Sequence, residues 1–338
     1  MANQPPLILA VDGGGTWIRA ALTTPEGDLL GMGRAPGDCL QALSPPELAA
    51  RLRPAIAEAC AAAGSPRPRL MAAAFALAGL GGRGEDPLVR RELLRAAGAD
   101  ETCRVVTTTD LEAALQGAFA GREGIVVVAG TGSSALGSDA GGRRVRAGGF
   151  GPLVDDAGSA LALGRMGLEA CARALDGRGP PTRLLEVLPG SGTTGDLLRT
   201  LAELMAAPDA RRRIARLAPL VLACAREGDD CASRIARKGA AELAALAAAV
   251  ARGLGATHPR VALVGGLSRD PDYAGLFAEG LRERLPGGAV RAPLLPPLQG
   301  ATLLALASSG RNPRPEAIRA LQAWPDADES DEDRALET

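Results

Sequence analysis

The sequence predicts an α/β protein built from two similar lobes that meet on one ligand. Three observations carry this expectation. Short apolar runs of strand length alternate with stretches at helical spacing along most of the chain. A strand, glycine turn, strand pattern at residues 7–22 returns at residues 124–149. The length of 338 residues also exceeds the roughly 250 at which single cores stop growing.

The elements follow in order. "LILAV" and "IRAALTT" read as strands on either side of "DGGGT", "DLLGMGR" reads as a third strand, and a crossover helix runs from about Pro46 to Ala63. "MAAAFALAG" (71–79) is a buried strand, "PLVRRELLRAAG" a helix, and "CRVVTTTD" (103–110) a strand feeding the helix "LEAALQGAF". The pattern restarts with "GIVVVAGTGSSALGSDAGGRRVRAGG", in which "DAGG" is a hairpin turn. A helix near Ala157 to Leu175 follows, and residues 194–253, rich in Ala, Leu and Arg, read as further helices. "RVALVGGLS" (260–268) supplies another buried strand and "GATLLALAS" a closing helix. The expected organisation is an N-terminal lobe over residues 1–120 and a C-terminal lobe with helical insertions over 121–310. Residues 311–338, where Pro and acidic residues take over, are expected to form a disordered acidic tail.

Composition removes several classes of function. With 46% apolar residues and no uninterrupted membrane-length span, the chain reads as a soluble globular protein. The N-terminus "MANQPP" lacks a cationic segment followed by an apolar one, so a cytoplasmic location is expected. Six cysteines are scattered without a CxxC pair, and a single histidine leaves nothing for a histidine-built metal site or a His-dependent triad. Two Trp, one Tyr and four Phe offer few surfaces for stacking bases, and no Arg/Lys run marks a nucleic-acid groove. Outside the acidic run from Asp326 to Thr338 there are 37 basic against 32 acidic residues, an excess that suits an anionic ligand or a solvated surface.

Glycines directly after a buried strand let backbone N–H groups approach an anion unobstructed, so "DGGGT" reads either as a phosphate cradle or as an ordinary tight hairpin. "GTGSS" (130–134) poses the same choice. The joint occurrence of "DGGGT", "GTGS" and "VGGLS", each after an apolar run, favours three strand ends converging on one ligand. A Walker loop is excluded, since the only lysine is Lys238, inside a helical stretch. A dinucleotide-binding turn is the rival: Gly130, Gly132 and Ala135 fit GxGxxA, with Asp155 twenty residues beyond Ala135. That motif needs a helix next, whereas the following residues alternate as in a hairpin.

In order, "AVDGGGT", "TTTDLEAAL", "VVVAGTGSSALG", "AGGFGPLVDDAGSALALGRMGLEA", "DGRGPPTRL" and "VALVGGLS…PPLQGATLLA" resemble the N-acetylglucosamine kinase-like family, also called the BadF/BadG/BcrA/BcrD ATPase family, over roughly residues 7–308. The resemblance implies two ribonuclease-H-like (actin-like ATPase) lobes around a central nucleotide cleft. It implies ATP and Mg²⁺ and an amino sugar as small-molecule acceptor; from composition no nucleic acid or membrane partner is expected, and the protein is expected to form a homodimer. Asp12 would hold the Mg²⁺, while Gly13, Gly14, Gly15 and Thr16 together with Gly130, Thr131, Gly132 and Ser133 would wrap the phosphates. Gly265 and Gly266 would approach the adenosine. Asp110 matches the catalytic base, its alternative being an N-cap for the helix that begins at Leu111.

Thr131, Phe150, Gly151 and Asp156 match positions that line the sugar pocket; Phe150 as core and Asp156 as a helix cap are the alternatives. Three departures bear on the substrate. The family's sugar-binding asparagine is not evident in "RAPGDCLQAL", which offers Asp38 and Cys39, and a carboxylate at Asp38 would favour a protonated amine. "DEGS" becomes Asp156-Ala157-Gly158-Ser159, and Phe150 replaces tryptophan. The implied activity is phosphorylation of N-acetylglucosamine or glucosamine at the 6-hydroxyl. The alternative is an ATPase that activates a 2-hydroxyacyl-CoA dehydratase through a shared iron–sulfur cluster, which would need neighbouring cysteines at a dimer interface.

Overall fold

The computed structural model describes residues 5–37, 40–311 and 314–325. They form two compact units: the first runs to Gly121 and resumes at Leu294, and the second is Arg122–Pro293.

The first unit begins with β1 (Leu7–Gly13), β2 (Trp17–Thr23) and β3 (Leu29–Pro36), followed by α1 (Pro45–Ala62), β4 (Leu70–Leu77), α2 (Pro87–Ala97), β5 (Arg104–Thr108) and α3 (Asp110–Phe119). Its sheet has the order β3-β2-β1-β4-β5. The first three strands are antiparallel neighbours, and β4 and β5 run parallel to β1. The whole of β1 is buried because both faces of the sheet are covered. Leu7, Leu9 and Val11 pack with Leu48 and Leu52 of α1 and Leu93 of α2, whereas Ile8 and Ala10 face a second cluster on the opposite side.

The second unit repeats the arrangement with β6 (Gly124–Ala129), β7 (Ser133–Ser138) and β8 (Arg144–Gly148). Then come α4 (Ala160–Leu175), α5 (Leu184–Val187), α6 (Thr194–Ala206), α7 (Ala210–Ala215), α8 (Ala218–Arg226), α9 (Asp230–Leu254), β9 (Arg260–Val264), α10 (Pro271–Arg284) and β10 (Ala289–Val290). The order β10-β9-β6-β7-β8, with β6, β7 and β8 antiparallel and β9 and β10 parallel to β6, is the topology of the first sheet. The repeated strand and glycine-turn pattern is therefore a repeated fold. The 25-residue α9 covers this sheet, capped by Asp229, whose carboxylate accepts from Ala232 N–H at 2.8 Å, and closed by Gly255 at φ +69°.

The sequence reading passed over α10, although its start carries two signals: Asp270 as N-cap, accepting from Tyr273 N–H at 2.9 Å, and Pro271 in the first turn. Tyr273, Phe277 and Leu281, spaced four apart, are all fully buried.

The chain then returns to the first unit with α11 (Pro297–Ser308) and α12 (Pro315–Gln322). This differs from the expected lobe boundary, which kept residues up to 310 with the second lobe. Leu298, Ala301 and Leu306 of α11 pack on Ile8, Ala10, Ala74 and Ala113. A Cβ at Gly117 of α3 would lie 2.6 Å from Leu295 O, so only glycine lets the two segments approach this closely. The expected disordered tail also needs correction, because α12 forms. Leu321 and Trp324 are buried, and Trp324 Nε1 donates to Gly27 O at 3.1 Å. Apolar side chains with a core to cover outweigh the local polar composition. The acidic run 326–338 lies outside the described residues. Among the described residues no helix is long and apolar enough to cross a membrane.

Candidate active site

In the first unit β1, β4 and β5 are parallel, so their carboxyl ends share one edge. Asp12 is registered with Ala76, and Ala76 with Thr108. At a strand spacing of ~4.8 Å, Asp12 and Thr108 stand about 10 Å apart along that edge, and Asp110 follows two residues after Thr108. Asp12 is 6% exposed, and its Oδ2 lies 3.8 Å from Nη1 of Arg19, its opposite residue on β2. Sequence reading missed Arg19, although the hairpin register places it across from Asp12.

The turn between β1 and β2 explains its bareness. A Cβ on Gly13 would lie 2.7 Å from Leu77 Cδ2, so this position is small for packing, whereas Gly14 faces open space. Gly14 N–H donates to Trp17 O at 3.0 Å and Gly37 N–H to Thr16 O at 2.8 Å, which brace the turn from inside. Gly15 is exposed and Thr16 half-buried at its tip.

Asp110 is not the cap of α3. That duty belongs to Thr109, whose Oγ1 accepts from Glu112 N–H at 3.2 Å. Asp110 occupies the first helical position, half-buried, with Oδ1 accepting from Leu111 N–H at 3.0 Å.

The second unit presents two glycine turns at one edge, because β6 and β9 are parallel and Val128 pairs with Val264. Gly265 has φ +101°, and a Cβ there would lie 2.6 Å from Ala129 O and 3.0 Å from Gly130 N, so the turns lie against each other. Gly266 faces open space. Within the other turn Gly130 N–H donates to Gly132 O at 3.0 Å. Ala160 N–H, at the start of α4, donates to Gly130 O at 2.9 Å, and Leu161 N–H to Thr131 O at 3.4 Å. The turn leads into the strand β7 and not a helix, which removes the dinucleotide-binding alternative.

Asp156 stands directly against this turn. Its Oδ1 accepts from Ser133 N–H at 3.2 Å, and Ser133 Oγ donates to Ala157 O at 2.7 Å. Asp156 has φ +65° and is 5% exposed. It does not cap α4; Ser159 does, accepting from Ala162 N–H at 3.1 Å. Oδ2 of Asp156 is 3.8 Å from Nη2 of Arg211 on α7, a second arginine that sequence reading missed.

Burial pushes the Asp156 carboxyl above its ordinary value, against the opposing pull of Ser133 N–H and Arg211. A carboxyl raised in the folded state contributes stability that is complete at low pH and is lost as pH rises through the raised value. Relative to Asp156→Asn, the wild-type protein should therefore lose stability as pH climbs from the ordinary carboxylate range upward. Urea unfolding across that range measures it; a difference between the two proteins that stays flat with pH would refute the shift.

Phe150 is 81% exposed, which removes its reading as core. It sits on a tight loop with Leu153 and Val154, also exposed, where Phe150 N–H donates to Asp155 Oδ2 at 3.2 Å. Gly151, at φ +91°, accepts from Asp155 N–H at 2.8 Å. Asp38 and Cys39 lie outside the described residues. The five described cysteines are all buried, and burial pushes the Cys103 thiol up to about 11, unlike the accessible thiolates that a shared cluster requires.

Two α/β units of one topology, each ending its first strand in a glycine turn, define the class of two-lobed, actin-like ATPase folds. The sequence profile of the BadF/BadG/BcrA/BcrD ATPase family matches residues 9–305, and the chain belongs to that family. Over 279 residues it is 28% identical to the N-acetylmuramic acid/N-acetylglucosamine kinase of Clostridium acetobutylicum, covering 79% of this chain and 87% of that protein. It is 30% identical over 192 residues to the N-acetyl-D-glucosamine kinase of Dictyostelium discoideum, which is 55% of this chain and 60% of the relative. A solved structure from Chromobacterium violaceum, provisionally named an N-acetylglucosamine kinase, superposes with a TM-score of 0.71 at 30% identity, covering 89% of this chain and 99% of that one.

Proposed function

We propose that this protein is an ATP-dependent amino-sugar kinase that phosphorylates N-acetylglucosamine or glucosamine at the 6-hydroxyl. The observation that carries it is the repeated sheet edge: one unit ends its parallel strands in a glycine turn with Asp12 and, two strands along, Asp110, and the other sets two glycine turns against each other with Asp156 beside one of them. The two relatives named above as sugar kinases support the same reading.

Phosphoryl transfer needs positioning and charge neutralisation more than covalent help. Gly13–Thr16 and Gly130–Ser133 wrap the ATP phosphates as turns bare of side chains, with the N–H groups of Gly14, Gly130 and Ser133 bracing the turns themselves, and Gly265–Gly266 take the adenosine. The open space in front of Gly14 and Gly266 fits a ligand that approaches the backbone itself. Asp12 suits Mg²⁺, which keeps several waters and takes one or two carboxylates plus substrate phosphates; when bound it neutralises phosphate charge.

Asp156, Thr131 and Gly151 hold the sugar hydroxyls, and the exposed ring of Phe150 covers a sugar face. The Asp110 carboxylate accepts the hydroxyl proton as the sugar oxygen bonds to the γ-phosphorus. The bond from that phosphorus to its bridging oxygen breaks, and ADP leaves with the electron pair. The reading carries a cytoplasmic location, where ATP is supplied, and a homodimer.

A coupled ADP-release screen over N-acetylglucosamine, glucosamine, N-acetylmannosamine, N-acetylmuramic acid and glucose tests it, with carbon NMR of the product locating the phosphate. Turnover should be fastest with an amino sugar and yield a 6-phosphate. ADP release indifferent to any sugar would refute the kinase reading.

A further inference from the structure

We infer that the Tyr273 hydroxyl positions the Asp156 carboxylate for the acceptor sugar, acting from the helix that follows the Gly265–Gly266 turn. This rests on the kinase reading above and deepens it. Asp156 has a left-handed backbone, φ +65°, although it carries a side chain. Such a conformation costs energy and persists where its surroundings hold it in place. Both carboxylate oxygens lie against the glycine turn: a Cβ on Gly132 would stand 3.0 Å from Oδ1 and 3.1 Å from Oδ2. A change of backbone angle at Asp156 therefore shifts the carboxylate relative to that turn.

Two hydroxyls on different elements hold the carbonyls that follow Asp156. Ser133 Oγ, at the start of β7, donates to Ala157 O at 2.7 Å, and Tyr273 Oη, on α10, donates to Gly158 O at 2.8 Å. Tyr273 is itself fixed. Its side chain is fully buried, its N–H donates to Asp270 Oδ1 at 2.9 Å, and Asp270 Oδ2 lies 2.6 Å from Nη1 of Arg226. Burial pushes the Tyr273 hydroxyl well above the ordinary phenol value, so it stays a donor.

The neighbouring backbone leaves room for that hydroxyl. Gly239 lies inside α9, where glycine weakens a helix, and a Cβ there would fall 2.6 Å from Tyr273 Oη. A Cβ on Gly158 would in turn collide with Gly239 O. A purely apolar core would be filled by phenylalanine opposite alanine. Tyrosine opposite glycine instead admits one hydrogen bond between α10 and the Asp156 loop, which makes Tyr273 a positioning residue.

Steady-state kinetics with the amino sugar that wild type turns over fastest, and calorimetry with ATP alone, test the inference on Tyr273→Phe and Gly239→Ala, with urea unfolding as the check on folding. Tyr273→Phe keeps the ring and removes only the donor. Its KM for sugar should rise about 10-fold, kcat should move less, and the Kd for ATP should stay within about twofold of wild type. Gly239→Ala crowds the hydroxyl from another helix; it should show the same sugar-selective loss, and it carries the test if Tyr273→Phe does not fold. A sugar KM within about twofold of wild type, or sugar and ATP weakened alike, would overturn the inference and leave Tyr273 as a core residue. In that case an active wild type keeps the kinase reading standing. If wild type phosphorylates no amino sugar, both fail.

Discussion

Asp110→Asn should bind ATP as the wild type does and turn over sugar about 10²- to 10⁴-fold more slowly, the usual loss when a general base is removed. Asparagine keeps the shape of the side chain and its acceptor for Leu111 N–H, the bond observed at 3.0 Å. What it lacks is the ability to take a proton. The structure strengthens this test, because α3 is capped by Thr109 and not by Asp110. Thr109→Ala is therefore the structural control: it should cost about 1 kcal/mol of stability and leave turnover largely in place. Calorimetry with ATP and the coupled assay separate the outcomes. Turnover of Asp110→Asn within threefold of wild type would remove Asp110 from the chemistry.

Gly265→Val should abolish ATP binding and destabilise the second unit by about 3 kcal/mol or more, combining left-handed backbone strain with a steric clash. The backbone at Gly265 has φ +101°, and the first added carbon would fall 2.6 Å from Ala129 O. Relief requires the ends of β6 and β9 to part, which displaces the Gly130 turn as well. Gly266→Ala is the contrast, since nothing lies within 4 Å of its added carbon. Its stability should stay within about 0.5 kcal/mol of wild type. Urea unfolding and nucleotide titration of the two variants measure the difference; equal stability of both would show that the turns do not depend on this close approach.

Most of the strands, the glycine turns and the duplication were legible in the sequence. They are local properties: a fully covered strand reads as an apolar run, and a turn that must admit backbone reads as glycine. "LILAVDGGGT" and "GIVVVAGTGSS" therefore announced two equivalent edges, which the structure realises as Leu7–Gly13 and Gly124–Ala129 in sheets of one topology. α10 was readable too, from its Asp-Pro start, but went unread.

Tertiary structure alone decided four things. It assigned α11 to the first sheet, because an apolar helix records that it is buried and not which surface buries it. It ordered α12 through Leu321 and Trp324, whose core lies far away in sequence. It gave the capping roles to Thr109 and Ser159 in place of Asp110 and Asp156, since helix ends drift by a residue or two until hydrogen bonds fix them. And it set Arg19 beside Asp12 and Arg211 beside Asp156, since ion pairs depend on distance in space, and for Arg211 no sequence period encodes that distance.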